Sequence, residues 1–242
     1  MGNVIKKGSL YLDRHLVTPI AVYEQGAEIH ILDTVPGYEI LWVVVNGLLI
    51  ADRCLLTNIS WNDLDGQDLV FGKPTLIDGA RYMCRLIRVG SESNEPCEWN
   101  AALDAVGENS DRLWHWQHFG FWGQEPTRAN SNRRAVRGYN SAEYWVSRDL
   151  NERNARIGYR PALEPVWVGL DDVPLGKGVQ IWCGQSVARG RLLELTDYDL
   201  ILKPDEEPHI ADVDLGQSVM KLPDGCLAIA CDCVIGGQVL EK

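Results

Sequence analysis

Two glycine dipeptides constrain this chain before any other feature does. Asn46-Gly47 separates the continuous apolar run at 40–45 from residues 48–50, and Asp78-Gly79 separates Thr75 and Ile77 from the alternating Tyr82, Cys84 and Leu86. Both residues of such a turn must take positive φ, which Asn, Asp and Gly tolerate, so each dipeptide predicts a tight β-hairpin. Short β-like runs at 9–12 and 29–32 precede them, divided by turn residues and closed by Pro36-Gly37. Further strands are expected at 143–147, 157–163, 179–182, 191–196, 198–202 and 226–235.

One amphipathic helix is expected over 94–106. Asn94 can cap it, Pro96 suits its first turn, and Glu95 and Glu98 favour the positive end of the dipole. Trp99, Leu103 and Val106 share a face, and Gly107 stops it. A second, shorter helix is expected over 111–118. Between 120 and 140 regular periodicity vanishes amid Gly, Asn, Ser and Arg, with Phe121, Trp122 and Tyr139 interspersed. That stretch reads as a long, ordered, functional loop.

At 242 residues and 45% hydrophobic, the chain can bury a core without disulfides. Seven cysteines, an odd number with no apolar leader at 1–10, read as reduced thiols of a cytoplasmic protein, or of a phage virion assembled there. The net charge of −11 argues against nucleic acid as a partner. No apolar run approaches the ~20 residues of a membrane span, so no membrane insertion is expected. The charge is uneven: residues 111–160 hold nine arginines against five acids, and residues 161–242 hold six basic residues against fourteen acids. This basic island either accepts an anionic ligand or docks on the protein's own acidic tail.

Three segments carry a resemblance. Glu98-Trp99-Asn100-Ala101-Ala102-Leu103, then Tyr144-Trp145-Val146-Ser147, then Ala155-Arg156 with Gly158-Tyr159-Arg160-Pro161 stand in one order and spacing. Together they resemble the formylglycine-generating-enzyme-like branch of the C-type lectin fold, over roughly residues 40–168. The resemblance implies an α+β fold with few short helices, in a C-type-lectin-like domain at 39–168; an N-terminal β-rich segment at 1–38 and an acidic β-rich segment at 169–242, the latter foreign to that pattern, flank it. Whether the flanking segments are separate domains or edge strands of one sheet stays open. Relatives in this branch include oxidases, sulfoxide synthases, retroelement variable proteins and phage receptor-binding proteins. In its binding members the ligand surface maps onto Trp122, Arg128, Asn130, Asn132, Arg133, Tyr139, Asn140, Arg148, Asn151 and Asn154. Glu98, Trp99, Trp145, Gly158 and Arg160 read as structural: tryptophans in the core, Gly158 for its conformation, and Arg160 as a loop anchor.

The chain departs from the enzymes of that branch. No cysteine lies between Cys97 and Cys183, where the oxidases hold their reactive pair. Trp61-Asn62-Asp63 matches letters of the lectin calcium motif but precedes the helix instead of following it. His115 and His118 lack obvious further ligands, so no metal or other cofactor is expected. Leu227, Ile229, Cys231, Cys233 and Ile235 fall on one face of an alternating strand, where cysteine acts as a small hydrophobe, although Cys226, Cys231 and Cys233 also invite a zinc reading. The carboxylate pairs Asp171-Asp172, Asp197/Asp199, Glu206-Glu207 and Asp212/Asp214 stand beside no histidine and read as solvated. With the resemblance, these features point to a non-catalytic recognition protein for a glycan or protein ligand, and the resemblance implies a phage or prophage origin. The alternatives are a metal-dependent oxygen-using enzyme related to the formylglycine-generating oxidases, a new enzyme built on His115 and His118, or an assembly component that forms a homo-oligomer through its tail β segments.

Overall fold

The computed structural model describes residues 3–107, 109–169, 172–184, 186–205 and 219–241. It is a mostly-β protein with three short helices and three sheets, one of them a curled half-barrel. The first sheet runs β2 (His15–Val17), β1 (Asn3–Leu12), β5 (Glu39–Val45), β6 (Leu48–Ala51), β14 (Pro161–Pro165), β9 (Ala80–Leu86) and β8 (Lys73–Ile77), with β4 (Ile29–Leu32) also paired to β1. The second runs β12 (Trp145–Asp149), β11 (Asn130–Gly138), β10 (Gly120–Thr127), β13 (Ile157–Tyr159), β7 (Leu56–Thr57) and β3 (Ala21–Val22). The third runs β18 (Val219–Lys221), β19 (Leu227–Ala230), β17 (Asp199–Pro204), β16 (Ser186–Leu195), β15 (Gly178–Cys183) and β20 (Val234–Val239). The helices are α1 (Trp61–Asp65), α2 (Glu98–Val106) and α3 (Asp111–Trp114). Among the described residues, no helix is long and apolar enough to cross a membrane.

Both glycine dipeptides close hairpins. Asn46 and Gly47 take φ +50° and +75° between β5 and β6, and Asp78 and Gly79 take +50° and +78° between β8 and β9. From Ile40 onward β5 is apolar because both its faces are covered. Ile40, Trp42 and Val44 join the main core, while Val43 and Val45 pack with Ile50 against Trp99, Ala102, Leu103 and Val106 of α2. The first sheet curls until β4 lies beside β8, where Lys73 Nζ donates to Ile29 O at 3.3 Å and Thr34 N to Asp78 Oδ1 at 2.8 Å. Strands from residues 1–38 are therefore members of sheets shared with residues 39–168: β1, β2 and β4 in the first, β3 in the second.

Several expectations are corrected. Residues 120–138 form a hairpin, β10 and β11, instead of a loop. Its alternation is masked because inward positions are polar. Gln124 is buried and donates to Val70 O and Leu86 O, and Arg137 is buried and donates to Val89 O and Glu143 O. α2 starts at Glu98 with Cys97, not Asn94, as its cap. α3 stops at Trp114 because His115 takes a left-handed backbone, φ +42°. The cysteines are not all reduced thiols, since Cys183 and Cys233 form a disulfide. Nor do Cys231 and Cys233 continue a strand: residues 231–233 form a 3-10 turn between β19 and β20. Glu206-Glu207, Asp212/Asp214 and Asp171 lie outside the described residues.

A polar seam joins the first and third sheets. Gln180 Nε2 donates to Tyr82 Oη at 2.7 Å, Arg189 Nη1 to Asp78 O at 2.8 Å, and Arg81 pairs with Glu241. Lys7 is buried there, its Nζ 3.5 Å from Asp78 Oδ2. Burial drives its amine down to about 8 against the pull of Asp78. Above that value the unfolded chain still holds a proton that the folded chain has released, so this group makes stability rise with pH. Between about pH 7.5 and about pH 9 the gain is on the order of 1 kcal/mol. Chemical denaturation of the wild type and of Lys7→Met across that window checks this: the wild type gains on the variant as pH rises, and parallel curves would refute the assignment.

Candidate functional site

The second sheet carries a cleft of about 260 Å³, lined by Gly120, Val136, Tyr139, Tyr144, Val146, Arg148, Asn154, Arg156 and Ile157. Register explains its composition. Val136 stands opposite Val146 and Arg134 opposite Arg148 on β11 and β12, so these four side chains share a face. The same face of β10 and β11 buries Trp122, opposite Val136, in the main core. Two residues earlier on β10, Gly120 lines the cleft.

Its wall at Tyr139 is held in an unusual conformation. Gly138 and Tyr139 take φ +90° and +82°, which turns the chain out of β11. A tyrosine at positive φ is costly and persists only when its surroundings impose it. Here Tyr139 N donates to Trp116 O and Phe119 O, while Tyr139 O accepts from His118 N. His115 and His118, in the same connection, also have positive φ, +42° and +70°. Arg160 anchors this connection from the core: fully buried, it donates from Nη2 to Trp114 O at 2.5 Å, with its guanidinium 4.6 Å from the Phe121 ring centre and 5.4 Å from that of Trp99.

The polar groups of the cleft are cationic and amide. Arg156 Nη1 donates to Tyr139 Oη at 2.6 Å, and Asn154 Oδ1 accepts from Arg156 N at 2.9 Å. Arg148 Nε is buried with no hydrogen-bond partner. Among the described residues neither Arg148 nor Arg156 makes an ion pair; the arginine ion pairs of the basic island are Arg128 with Glu92 and Arg153 with Asp63. No described pair joins the island to an acid of residues 161–242, whose pairs go instead to Arg81, Arg85 and Arg189.

Of the residues expected to bind ligand, Tyr139, Arg148 and Asn154 meet in this cleft. Trp122 does not belong to any surface: it is fully buried, its Nε1 donating to Ile59 O at 2.8 Å. Arg133 lies on the other face of β11 and donates to Ser147 Oγ and Ser147 O. Arg128, Asn130 and Asn132 stand at the exposed far end of the β10–β11 hairpin, and Asn140 is exposed beyond Tyr139. Asn151 Oδ1 accepts from Asn62 Nδ2 at 2.6 Å. Tyr144 and Arg156 were missed as ligand residues, although both fall within the motif segments.

The structural residues are placed as follows. Glu98 binds Arg85, and Trp99 Nε1 donates to Ala142 O at 2.8 Å. Trp145 is only half-buried, its Nε1 donating to Gly90 O. Gly158 is glycine for space, not for conformation: a Cβ there would stand 2.0 Å from Leu56 O on the neighbouring β7. The carboxylate of Asp63 is engaged by Ser60 in a capping box and by both Nε and Nη2 of Arg153. His115 faces Asp52 and Arg53, with Nδ1 3.4 Å from Asp52 Oδ2 and Nε2 3.1 Å from Arg53 Nη2. Among the described residues, no three His, Cys, Asp or Glu side chains gather as a metal-ligand set. Comparison with protein-family models, curated proteins and solved structures finds no match to this chain.

Proposed function

We propose that this is a non-catalytic recognition protein whose ligand, a glycan or a protein epitope, seats in the cleft bounded by Tyr139, Tyr144, Arg148 and Arg156. The scaffold in this reading is a C-type-lectin-like fold of the formylglycine-generating-enzyme-like branch. The observation that carries the function is the backbone at Tyr139. This non-glycine residue of the cleft lining takes φ +82° and is fixed by bonds to Trp116 O, Phe119 O and His118 N, and strain of this kind concentrates where a side chain must be presented in a set direction. Support for the scaffold comes from the meeting of the three motif segments. Trp99 of α2 lies over Arg160, holds the 139–144 connection through Ala142 O, and thereby links the helix to the start of β12.

Glycan and protein arrays probed with wild-type protein, Tyr139→Ala and Tyr144→Ala test the reading. Loss of one stacking aromatic is expected to weaken binding about tenfold, with an unchanged melting temperature for the exposed Tyr144. Binding that survives both substitutions, or folded wild type that binds nothing on either array, would refute it.

A further inference from the structure

We propose that the ligand of this cleft is an acidic saccharide, its carboxylate or sulfate group held by Arg148 and Arg156 and its ring set against Tyr139 and Tyr144. The inference rests on the cleft being the recognition site and names what it selects.

The charge is one-sided. The lining includes two arginines and no carboxylate, in a chain whose net charge is −11. A buried guanidinium ordinarily finds an acid or a carbonyl, because an unpaired buried donor is costly. Arg137 follows that rule through backbone carbonyls and Arg153 through Asp63, and Arg134 and Arg160, whose buried Nε atoms are also idle, still donate from Nη to carbonyls. Arg148 does not. Its Nε is buried without a partner, and Arg134, directly opposite on β11, adds a second positive charge to the same strand pair. The two cross-strand arginines repel each other, and an anion between Arg148 and Arg156 relieves that repulsion and gives the Arg148 guanidinium an acceptor.

The neutral part of the lining selects the rest of the ligand. Val136, Val146 and Ile157 give the lining its apolar part, the two tyrosines add aromatic rings, and Asn154 supplies an amide. At about 260 Å³ the space lies just under the ~300 Å³ of the smallest drug-sized sites, which suits one sugar residue of a longer chain. An acidic peptide would bring the same charge but no ring for the tyrosines, so the saccharide is the better match.

Calorimetric titration separates the cases. The probes are oligosaccharides ending in glucuronate or galacturonate, sulfated oligosaccharides, their neutral counterparts and an Asp/Glu-rich peptide, tested against wild type, Arg148→Gln, Arg148→Lys and Arg156→Gln. The acidic sugars are expected to bind about 10- to 100-fold more tightly than the neutral ones, as one or two charge-assisted hydrogen bonds allow. Arg148→Gln should erase that preference and Arg148→Lys restore part of it, with circular dichroism unchanged. Whether uronate or sulfated probes bind tighter identifies the anion. Equal binding of neutral and acidic sugars, indifferent to Arg148→Gln, overturns the acidic assignment and leaves recognition standing. Binding of the peptide alone overturns the saccharide. Folded protein that binds none of these probes overturns this inference, and the recognition function falls with it only if the protein also binds nothing on the glycan and protein arrays.

Discussion

Cys183→Ser is expected to lower stability by about 4 kcal/mol, the loop-entropy value for a closed loop of this size. The Cys183–Cys233 bond spans a sequence separation of 50 and ties the end of β15 to the turn that leads into β20. The third sheet has a core of its own, including Val179, Ile181, Leu192, Leu200, Leu202 and Ile229, and the cross-link limits how far its unfolded segment can spread. For a chain of this length ~4 kcal/mol corresponds to a fall in melting temperature of roughly 8–16 °C. Cys183 is the residue to change, because Cys231, a free thiol two positions from Cys233, offers no replacement partner once Cys183 is gone. Melting curves of wild type and Cys183→Ser, each with and without a phosphine reductant, make the comparison. Reductant should bring the wild type down to the variant and leave the variant unmoved. Coincident curves in all four conditions would show that the bond contributes nothing.

That bond illustrates what a single sequence hides. Nothing local marks Cys183 as the mate of Cys233 rather than of Cys226 or Cys231; the pairing follows from how β15 and β20 lie side by side. The hairpins at Asn46-Gly47 and Asp78-Gly79 were legible for the opposite reason, since positive φ is a demand of the turn residues themselves. α2 was legible by its buried face of Trp99, Leu103 and Val106, but its start was not. The chain ahead of Cys97 is held by bonds such as Ser91 N to Glu95 Oε2, which no helix-capping pattern encodes. β10 and β11 were lost because Gln124 and Arg137 occupy inward positions, where their partners are carbonyls 38 to 54 and 6 to 48 residues away.

The candidate site was legible in part for similar reasons. Tyr139, Arg148 and Asn154 could be reached because they flank the motif segments. Trp122 was misplaced because a tryptophan suits a core and a binding face equally, and only the register opposite Val136 assigns it to the core. Arg148 differs from Arg133 in a way no spacing displays. The two sit on neighbouring strands, yet one is engaged by Ser147 and the other has an idle Nε.

Glu98→Ala is expected to cost about 3 kcal/mol, the lower end of the range for breaking a buried ion pair, because Arg85 keeps its contact with Glu164. Arg85 is nearly inaccessible and gives Nη1 and Nη2 to the two Glu98 oxygens at 2.9 and 2.7 Å, while its Nε reaches the half-exposed Glu164 at 2.7 Å. Glu98 also accepts from Arg88 N at 3.0 Å, so its loss strands a backbone donor as well. Burial alone would raise the Glu98 carboxyl, but the hydrogen bonds from Arg85 and Arg88 outweigh it and hold the group below its usual value of 4.5. The sign follows: the contribution is complete above the unfolded value and is lost as pH falls through the lower, folded one. The stability gap between wild type and Glu98→Ala, read by urea denaturation, should therefore be widest near neutral pH and close below about pH 4.5. A gap under about 1 kcal/mol, or one that persists in acid, would remove the ion pair from the account. Glu98→Gln, which keeps the shape and one acceptor, should fall between the two. The damage should also reach the cleft. α2 holds the 139–144 connection through Trp99 Nε1 and Ala142 O, so a helix loosened at Glu98 frees Tyr144, and ligand affinity declines together with stability.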